Sequence, residues 1–157
     1  MENVFVRSME ESDIPAVSRM FVALHEHLNK LGSLWRLNPD WLDDYLQMML
    51  STRFGRVFTL IASGETIGFI CVSTPKVNKK FIAGDIAYTG LISELFIEPP
   101  HRGKAYARML LSAAEDYCKS MNIHCIQVEV LTDNQAAASL YESCGFTPNY
   151  TSNCKNI

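Results

Sequence analysis

Three cations lie within seven residues of one another, in a chain whose formal net charge is −3. They are Arg102, Lys104 and Arg108, and they follow an apolar segment, residues 91–97, that is typical of a β-strand. A helix is predicted to begin directly after this loop. Because a helix N-terminus presents unpaired N–H groups and the positive end of the helix dipole, the arrangement predicts an anion-binding loop. A surface turn with three solvated cations would give the same pattern.

The glycine content of this loop excludes two common nucleotide-binding motifs. A P-loop needs G-x-x-x-x-G-K-[ST] and a dinucleotide fingerprint needs G-x-G-x-x-G, whereas Gly103 stands alone. The loop instead matches R-x-x-small-x-small, with Arg102, Ala105 and Ala107 in the three positions. Small side chains let backbone N–H groups approach a pyrophosphate, and neighbouring cations neutralise its charge.

A second candidate pair is Asn134 and Tyr141, which are seven residues apart in a predicted helix. Seven residues make two helical turns, so the two side chains share one face. A tyrosine hydroxyl has a reference pKa near 10 and can donate a proton to a thiolate. The alternative is structural, with Asn134 as a helix cap and Tyr141 as a core aromatic residue.

Strand-like and helix-like segments alternate in the second half of the chain, which indicates a mixed α/β sheet with at least one parallel crossover. The helix that begins at Ser12 or Asp13 repeats apolar residues every three or four positions and ends at Gly32, and Asn38 opens a second helix. A charged loop is predicted at residues 76–80. The predicted strands are residues 4–6, 56–62, 66–73, 91–97 and 123–130, with a last one near Phe146; the later helices are 105–121 and 134–143.

Composition narrows the class of protein. At 157 residues and 48% hydrophobic content, the chain has the size and core of one domain. A pI near 5.8 argues against nucleic-acid binding, and no run of about 18 apolar residues predicts a membrane span. The start of the chain does not resemble a signal peptide, and five cysteines without a C-x-x-C motif indicate reduced thiols. We therefore expect a cytoplasmic protein with no metal site.

From Leu91 to Phe146 the chain resembles the GNAT N-acetyltransferases, which use acetyl-CoA. The basic loop is followed in the family's order by the motif N-x-x-A-x-x-[LF]-Y-x-x-x-G-F, present here as Asn134, Ala137, Leu140, Tyr141, Gly145 and Phe146. The resemblance implies a single-domain α/β fold over residues 1–157, with a mixed sheet of six to seven strands, about four helices and splayed central parallel strands. Residues 1–90 would shape the acceptor site, and residues 91–146 would bind acetyl-CoA.

The resemblance also implies roles for individual residues. The strand would open away from its parallel neighbour, and the backbone of Leu95, Phe96 and Ile97 would bind the pantetheine arm. Asn134 would bind the cofactor, and Tyr141 would protonate the departing thiolate. The pyrophosphate would lie on the loop and helix start formed by Arg102, Gly103, Lys104, Ala105, Tyr106, Ala107 and Arg108.

One position departs from the family. Ala105 stands where the family most often has glycine, a costly change if its φ is positive and a small one if its φ is helical. Because the resemblance implies a helix N-terminus there, we expect a helical φ at Ala105 and a somewhat tighter fit to the pyrophosphate.

The acceptor is expected to be a primary amine of a small molecule or a peptide. Such an amine has a reference pKa near 10.4 and must lose a proton before it attacks, and Glu94 is the candidate base, acting through water. The GNAT family also uses backbone carbonyls and water chains for this step. The alternative for Glu94 is an edge-strand carboxylate paired with a cation. Glu26, Glu98 and Asp85 could also favour a cationic amine, although scattered acidic residues are common on protein surfaces.

The first half of the chain holds weaker acceptor candidates. Glu26 and Trp35 are candidate substrate contacts, while Trp41 and Tyr45 lie in the region that typically covers the acceptor pocket, or else belong to the core. His25 leans towards the apolar face of its helix, without metal-ligand spacing around it. It is a surface residue or else a contact of the acceptor site. The competing hypotheses are an acyl-CoA-binding module without turnover and, less favoured, a nucleotide-binding domain. A homodimer is possible by analogy with relatives.

Overall fold

The computed structural model describes residues 3–77 and 87–157, so Asp85 and part of the predicted charged loop at 76–80 lie outside the described residues. One sheet has the strand order β1-β2-β3-β4-β5, in which only the β4–β5 pair is parallel. The strands are β1 (Val4–Ser8), β2 (Gly55–Ala62), β3 (Glu65–Ser73), β4 (Gly90–Ile97) and β5 (Ile126–Val128). The helices are α1 (Ile14–Lys30), α2 (Leu42–Ser51), α3 (Tyr106–Ser120) and α4 (Gln135–Ser143).

The mixed α/β fold with four α-helices is confirmed, but the strand number is smaller than the six to seven predicted. The described residues form five strands, and the strand expected near Phe146 is absent, since residues 144–157 contain no strand. The polar sequence Thr151-Ser152-Asn153 offers no apolar face to pack against a helix. β5 is also only three residues long, instead of the predicted 123–130.

Helices cover both faces of the sheet, and the alternation of side chains along the strands divides the core into two clusters. On one face, α1 and α2 pack against Phe69, Cys71 and Phe96. On the other face, Leu110 and Leu111 of α3 pack in a cluster with the remaining inward-facing strand residues. This is the arrangement expected when alternate residues of a strand point to opposite faces. Within the described residues, no helix is long and apolar enough to cross a membrane.

The start of α1 is held by a buried carboxylate. Asp13 is 4% exposed and lies 2.5 Å from Arg7 Nη1 of β1, while Thr66 Oγ1 of β3 donates to it at 2.8 Å. The backbone N–H of Glu10 also donates to Asp13, so the side chain caps the turn that precedes α1 and not α1 itself. Burial opposes ionisation, but the bonds from Arg7, Glu10 and Thr66 outweigh it and lower the pKa of Asp13. Asp13 thereby links the start of α1 to β1 and β3.

A β-bulge in β4 changes which residues face which helices. Cys71 pairs with Glu94, but the next residue, Val72, pairs with Ile92, so Ser93 is inserted in β4. A one-residue insertion shifts the side-chain alternation of the strand by one position. As a result Ile92 packs on the α3 face, whereas Glu94 faces α1.

Candidate active site

The parallel strands β4 and β5 separate just after they meet. Their pairing covers only Gly90, Ile92 and the residue between them. Since Glu98 N donates to Ile67 O of β3, and backbone direction alternates along a strand, the N–H and C=O groups of Leu95 and Ile97 point away from β3. They point towards the opening left by β5, which we call the slot. The backbone groups of Phe96 face β3 instead, so of the three residues expected to bind the pantetheine arm only two direct their polar groups into the slot.

Arg102 closes one end of the slot. Its Nε donates to the carbonyl oxygen of Ile97 at 2.8 Å, and its guanidinium carbon lies 5.2 Å from the centre of the Phe96 ring. The cation is therefore held at the point where β4 ends and the basic loop begins.

The backbone of the basic loop turns through two left-handed residues. Gly103 has φ +78°, and Ala105 has φ +62° and ψ +12°. The expected helical φ at Ala105 is therefore wrong. Ala105 is the residue before α3, where the chain must still reverse direction, and a left-handed conformation with a Cβ costs roughly 1–2 kcal/mol. No side chain caps the first turn of α3, although the N–H of Arg108 donates to the carbonyl oxygen of Ala105 at 3.1 Å.

The other two cations of the loop have partners within the protein. Lys104 Nζ lies 5.9 Å from the centre of the Tyr106 ring. Arg108 reaches across to the end of α4 and donates to Ser143 O at 3.3 Å and Ser143 Oγ at 3.1 Å. A cation at the C-terminal end of a helix is favourable, and this one links α3 to α4. Tyr106 and Ala107, in the first turn of α3, are partly buried against the core cluster that contains Leu110 and Leu111.

Asn134 and Tyr141 occupy opposite ends of α4. Asn134 is the N-cap, and its Oδ1 accepts from Ala137 N at 3.2 Å. Tyr141 is 8% exposed, and its ring packs edge-on against Phe146 with the centres 5.4 Å apart. It belongs to the same core cluster that Leu95 packs against. Burial, with a smaller contribution from Cys144, raises the pKa of Tyr141 to about 12, so the hydroxyl stays protonated at neutral pH.

On the other face of the sheet, Glu94 lies at one end of a cleft of about 210 Å³ between α1, α2 and β4. His25 Nε2 is 3.7 Å from Glu94 Oε1, and Ser93 Oγ donates to the other carboxylate oxygen. Burial raises the pKa of the Tyr45 hydroxyl, with smaller contributions from Cys71 and Glu94. The residues that line the cleft are Phe21, His25, Leu37, Asn38, Trp41, Leu42, Tyr45 and Glu94.

The lining of the cleft differs from the predicted pair of substrate contacts. Glu26 and Trp35 do not line it: Glu26 is exposed because it is one helical step round from His25, and Trp35 is 79% exposed. His25 does line it, stacked on Phe21 with the ring centres 5.6 Å apart. Its position beside Leu28 on the apolar side of α1 was the signal for this. The described residues contain no group of three or more metal-ligating side chains that could hold an ion.

Comparison with known proteins supports this reading of the fold. The aminoglycoside N-acetyltransferase AAC(6')-Iy, in complex with CoA, has a TM-score of 0.82 with this structure; the match covers 100% of this chain and 96% of that one, at 14% identity. The spermidine N(1)-acetyltransferase of Vibrio cholerae is 43% identical over 54 residues, which are 34% of this chain and 31% of that enzyme. This chain thus matches about a third of the length of the spermidine enzyme.

A longer match is to the uncharacterized N-acetyltransferase YycN of Bacillus subtilis, which is 43% identical over 116 residues. That match covers 68% of this chain and 72% of YycN. The model of the acetyltransferase (GNAT) family matches residues 21–146, which include the cleft, the slot, the basic loop and α4. The chain belongs to the GNAT family of acetyltransferases.

Proposed function

We propose that the protein transfers the acetyl group of acetyl-CoA to a primary amine, by direct attack within a ternary complex. The observation that carries this proposal is the slot between β4 and β5, which runs from Glu94 to the uncapped start of α3. A slot with outward backbone amides suits an extended amide-containing arm, and an uncapped helix start suits a phosphate. Names of relatives add support: AAC(6')-Iy was solved with CoA, and the Vibrio cholerae relative is a spermidine acetyltransferase.

The loop and α4 fit the cofactor in this proposal. The N–H groups of Gly103, Tyr106 and Ala107 would hold the pyrophosphate, and left-handed residues such as Gly103 and Ala105 are typical of anion-binding backbone turns. Leu95 and Ile97 would pair with the amides of the pantetheine arm. Asn134 has a side-chain NH₂ group to donate, because only its Oδ1 is used in capping.

The chemistry divides between the two faces of the sheet. Acetyl-CoA, when bound, supplies a thioester carbonyl and a thiolate leaving group. Glu94 accepts the proton of the ammonium group, directly or through water, and the free amine then attacks the carbonyl carbon. An N–H group of β4 in the slot donates to the developing oxyanion. As the C–N bond forms and the C–S bond breaks, Tyr141 donates its hydroxyl proton to the sulfur.

The test is release of free CoA thiol from acetyl-CoA across a library of amines, with Tyr141→Phe as the control variant. This change removes the hydroxyl and keeps the ring that packs against Phe146. We expect kcat to fall about 100-fold or more, as for loss of a general acid, while the Kd for acetyl-CoA is unchanged. A wild-type protein that binds acetyl-CoA but releases no thiol with any amine would instead favour a binding module without turnover.

A further inference from the structure

One buried nitrogen at the end of the cleft has no partner. His25 Nε2 accepts no hydrogen bond from any residue in the ranges 3–77 and 87–157, although it is shielded from solvent. With the proton on Nδ1, Nε2 is an acceptor, and leaving such a group unpaired is unfavourable. Glu94 Oε1 is 3.7 Å away. An amine nitrogen bound to Glu94 would lie close to His25 Nε2, and a small rotation of the shielded His25 ring would let it donate one hydrogen to each acceptor. The two acceptors therefore form a binding position for one amine.

The rest of the cleft offers an amine no second counter-charge. Its walls are aromatic and aliphatic: Phe21 is 3% exposed and meets Tyr45 edge-on at 6.2 Å, and Leu42 is 4% exposed. Leu37 and Trp41 complete the apolar lining, and Asn38 is the remaining polar residue. Glu94 is the one carboxylate among the described residues that line the cleft.

Other carboxylates on the surrounding elements point elsewhere. Glu26 of α1 and Asp40, Asp43 and Asp44 at the start of α2 are exposed and do not line the cleft. Asp43 accepts a hydrogen bond from Ser18 Oγ at 2.7 Å. A second ammonium group held against these apolar walls would therefore gain no charged partner there, which is unfavourable.

Building on the proposed acetyl transfer, we propose that the acceptor is a small primary amine with a single positive charge and an apolar body. Its nitrogen binds between Glu94 and His25, and its body packs against Phe21, Trp41 and Tyr45. The cleft volume of about 210 Å³ agrees with a small acceptor, since it is below the roughly 300–1,000 Å³ of pockets for drug-sized ligands. Polyamines and aminoglycosides, the substrates named for two relatives, do not fit this description.

The test compares two amines that differ at one end only, hexylamine and 1,6-diaminohexane, with spermidine as a third acceptor. We expect kcat/KM for hexylamine to exceed that for the diamine by about 10-fold or more, because the second ammonium group of the diamine would lie against apolar walls without a charged partner. Equal values, or a preference for the diamine or spermidine, would overturn the proposal while leaving acetyl transfer intact.

Two variants test whether the amine binds in this cleft. Asn38→Asp adds a charge without changing the shape of the side chain, and aspartate keeps the N-cap that Asn38 provides through Asp40 N. We expect it to raise the ratio of diamine to hexylamine kcat/KM. His25→Phe keeps the stacking on Phe21 but removes the acceptor nitrogen, and should raise the KM for hexylamine with no change in the KM for acetyl-CoA. An unchanged diamine ratio, or an unchanged amine KM, would show that the acceptor does not bind here.

Failure of the proposed function is distinguishable from failure of this inference. If no amine releases thiol, calorimetric titration of hexylamine and 1,6-diaminohexane into the CoA-loaded protein makes the same comparison through binding. Tighter binding of hexylamine, weakened in His25→Phe, would support the monoamine site even without turnover. Absence of hexylamine binding in that experiment would refute the site.

Discussion

Ile92 and Glu94 are two positions apart on β4, yet their side chains lie on opposite faces of the sheet. Ile92 packs in the cluster with α3, while Glu94 approaches His25 of α1. In a regular strand, residues two apart share a face; the inserted Ser93 breaks that rule. The same segment is where β4 leaves β5, so the bulge brings the carboxylate of the cleft next to the open part of the slot.

Replacing Glu94 with glutamine should slow acetyl transfer. The amide keeps the shape of the side chain but is a far weaker proton acceptor, so we expect kcat/KM at pH 7 to fall about 100-fold, typical for loss of a general base. The Kd for acetyl-CoA should not change. Steady-state thiol release and calorimetry measure the two quantities. The exposed Glu11, in the turn before α1, provides the control Glu11→Gln. Equal effects of the two variants would exclude Glu94 as the base.

Replacing Ala105 with glycine should stabilise the protein. The left-handed φ of +62° costs alanine roughly 1–2 kcal/mol, partly offset by about 0.4–1 kcal/mol of extra freedom of glycine in the unfolded chain. The expected gain in the free energy of unfolding is about 0.5–1 kcal/mol, measured by urea titration. Ala107 lies two residues later, in the first turn of α3, where glycine should instead cost about 0.5–1 kcal/mol. Changes of the same sign at both positions would contradict the left-handed conformation of Ala105.

The buried Asp13 should make stability depend on acidic pH. Its pKa is lowered in the folded state, so its contribution is present above the unfolded value of about 3.9 and is lost as pH falls through the lower folded value. Asp13→Asn should lower the free energy of unfolding by about 2 kcal/mol at pH 7, as for loss of charged hydrogen bonds. The variant should also lose stability less steeply than wild type below pH 5.

The control for Asp13 is Asp43→Asn, because Asp43 is exposed and an amide can still accept from Ser18. Its effect should stay within about 0.5 kcal/mol. Denaturant titrations from pH 3 to pH 7 measure both the loss in the free energy of unfolding and its dependence on pH. Parallel pH curves for wild type and Asp13→Asn would rule out this carboxylate as the source of acid sensitivity.

Asn134 should have two separable roles. Asn134→Ala removes the cap of α4 and should cost about 1 kcal/mol of stability, whereas Asn134→Asp keeps an oxygen that can cap. Both variants lose the side-chain NH₂ donor, so both should bind acetyl-CoA more weakly. Thermal unfolding and calorimetry separate the two effects. Wild-type affinity in Asn134→Asp would limit Asn134 to capping.

The order of the elements and the pair of motifs could be predicted from the sequence because both depend on local patterns. Apolar spacing located α1, and the N-x-x-A-x-x-[LF]-Y-x-x-x-G-F pattern located α4 with Asn134 at its start. Ala105 was predicted as the first residue of the helix 105–121 with a helical φ, whereas it precedes α3 with a left-handed φ. The conformation of such a residue depends on the direction that the helix takes, which no local pattern shows.

Features that depend on pairing between distant segments were not predictable in the same way. The insertion of Ser93 is defined only against β3, and no local signal marks it. The contact of His25 with Glu94 requires α1 to dock on β4, which joins residues far apart in sequence. The prediction of a strand near Phe146 was wrong, because residues 144–157 pair with no other strand in the described structure.

Because β4 separates from β5, the backbone amides of β4 lie in two different environments. The amide of Phe96 bonds to β3 in the centre of the sheet, whereas those of its neighbours Leu95 and Ile97 face the slot. Amide hydrogens exchange with solvent according to the local opening they require, from near zero to the full free energy of unfolding. Deuterium uptake should therefore alternate along residues 95–97, fast then slow then fast. Protection of the two fast amides on adding a ligand would report occupation of the slot, even for a compound that is never turned over.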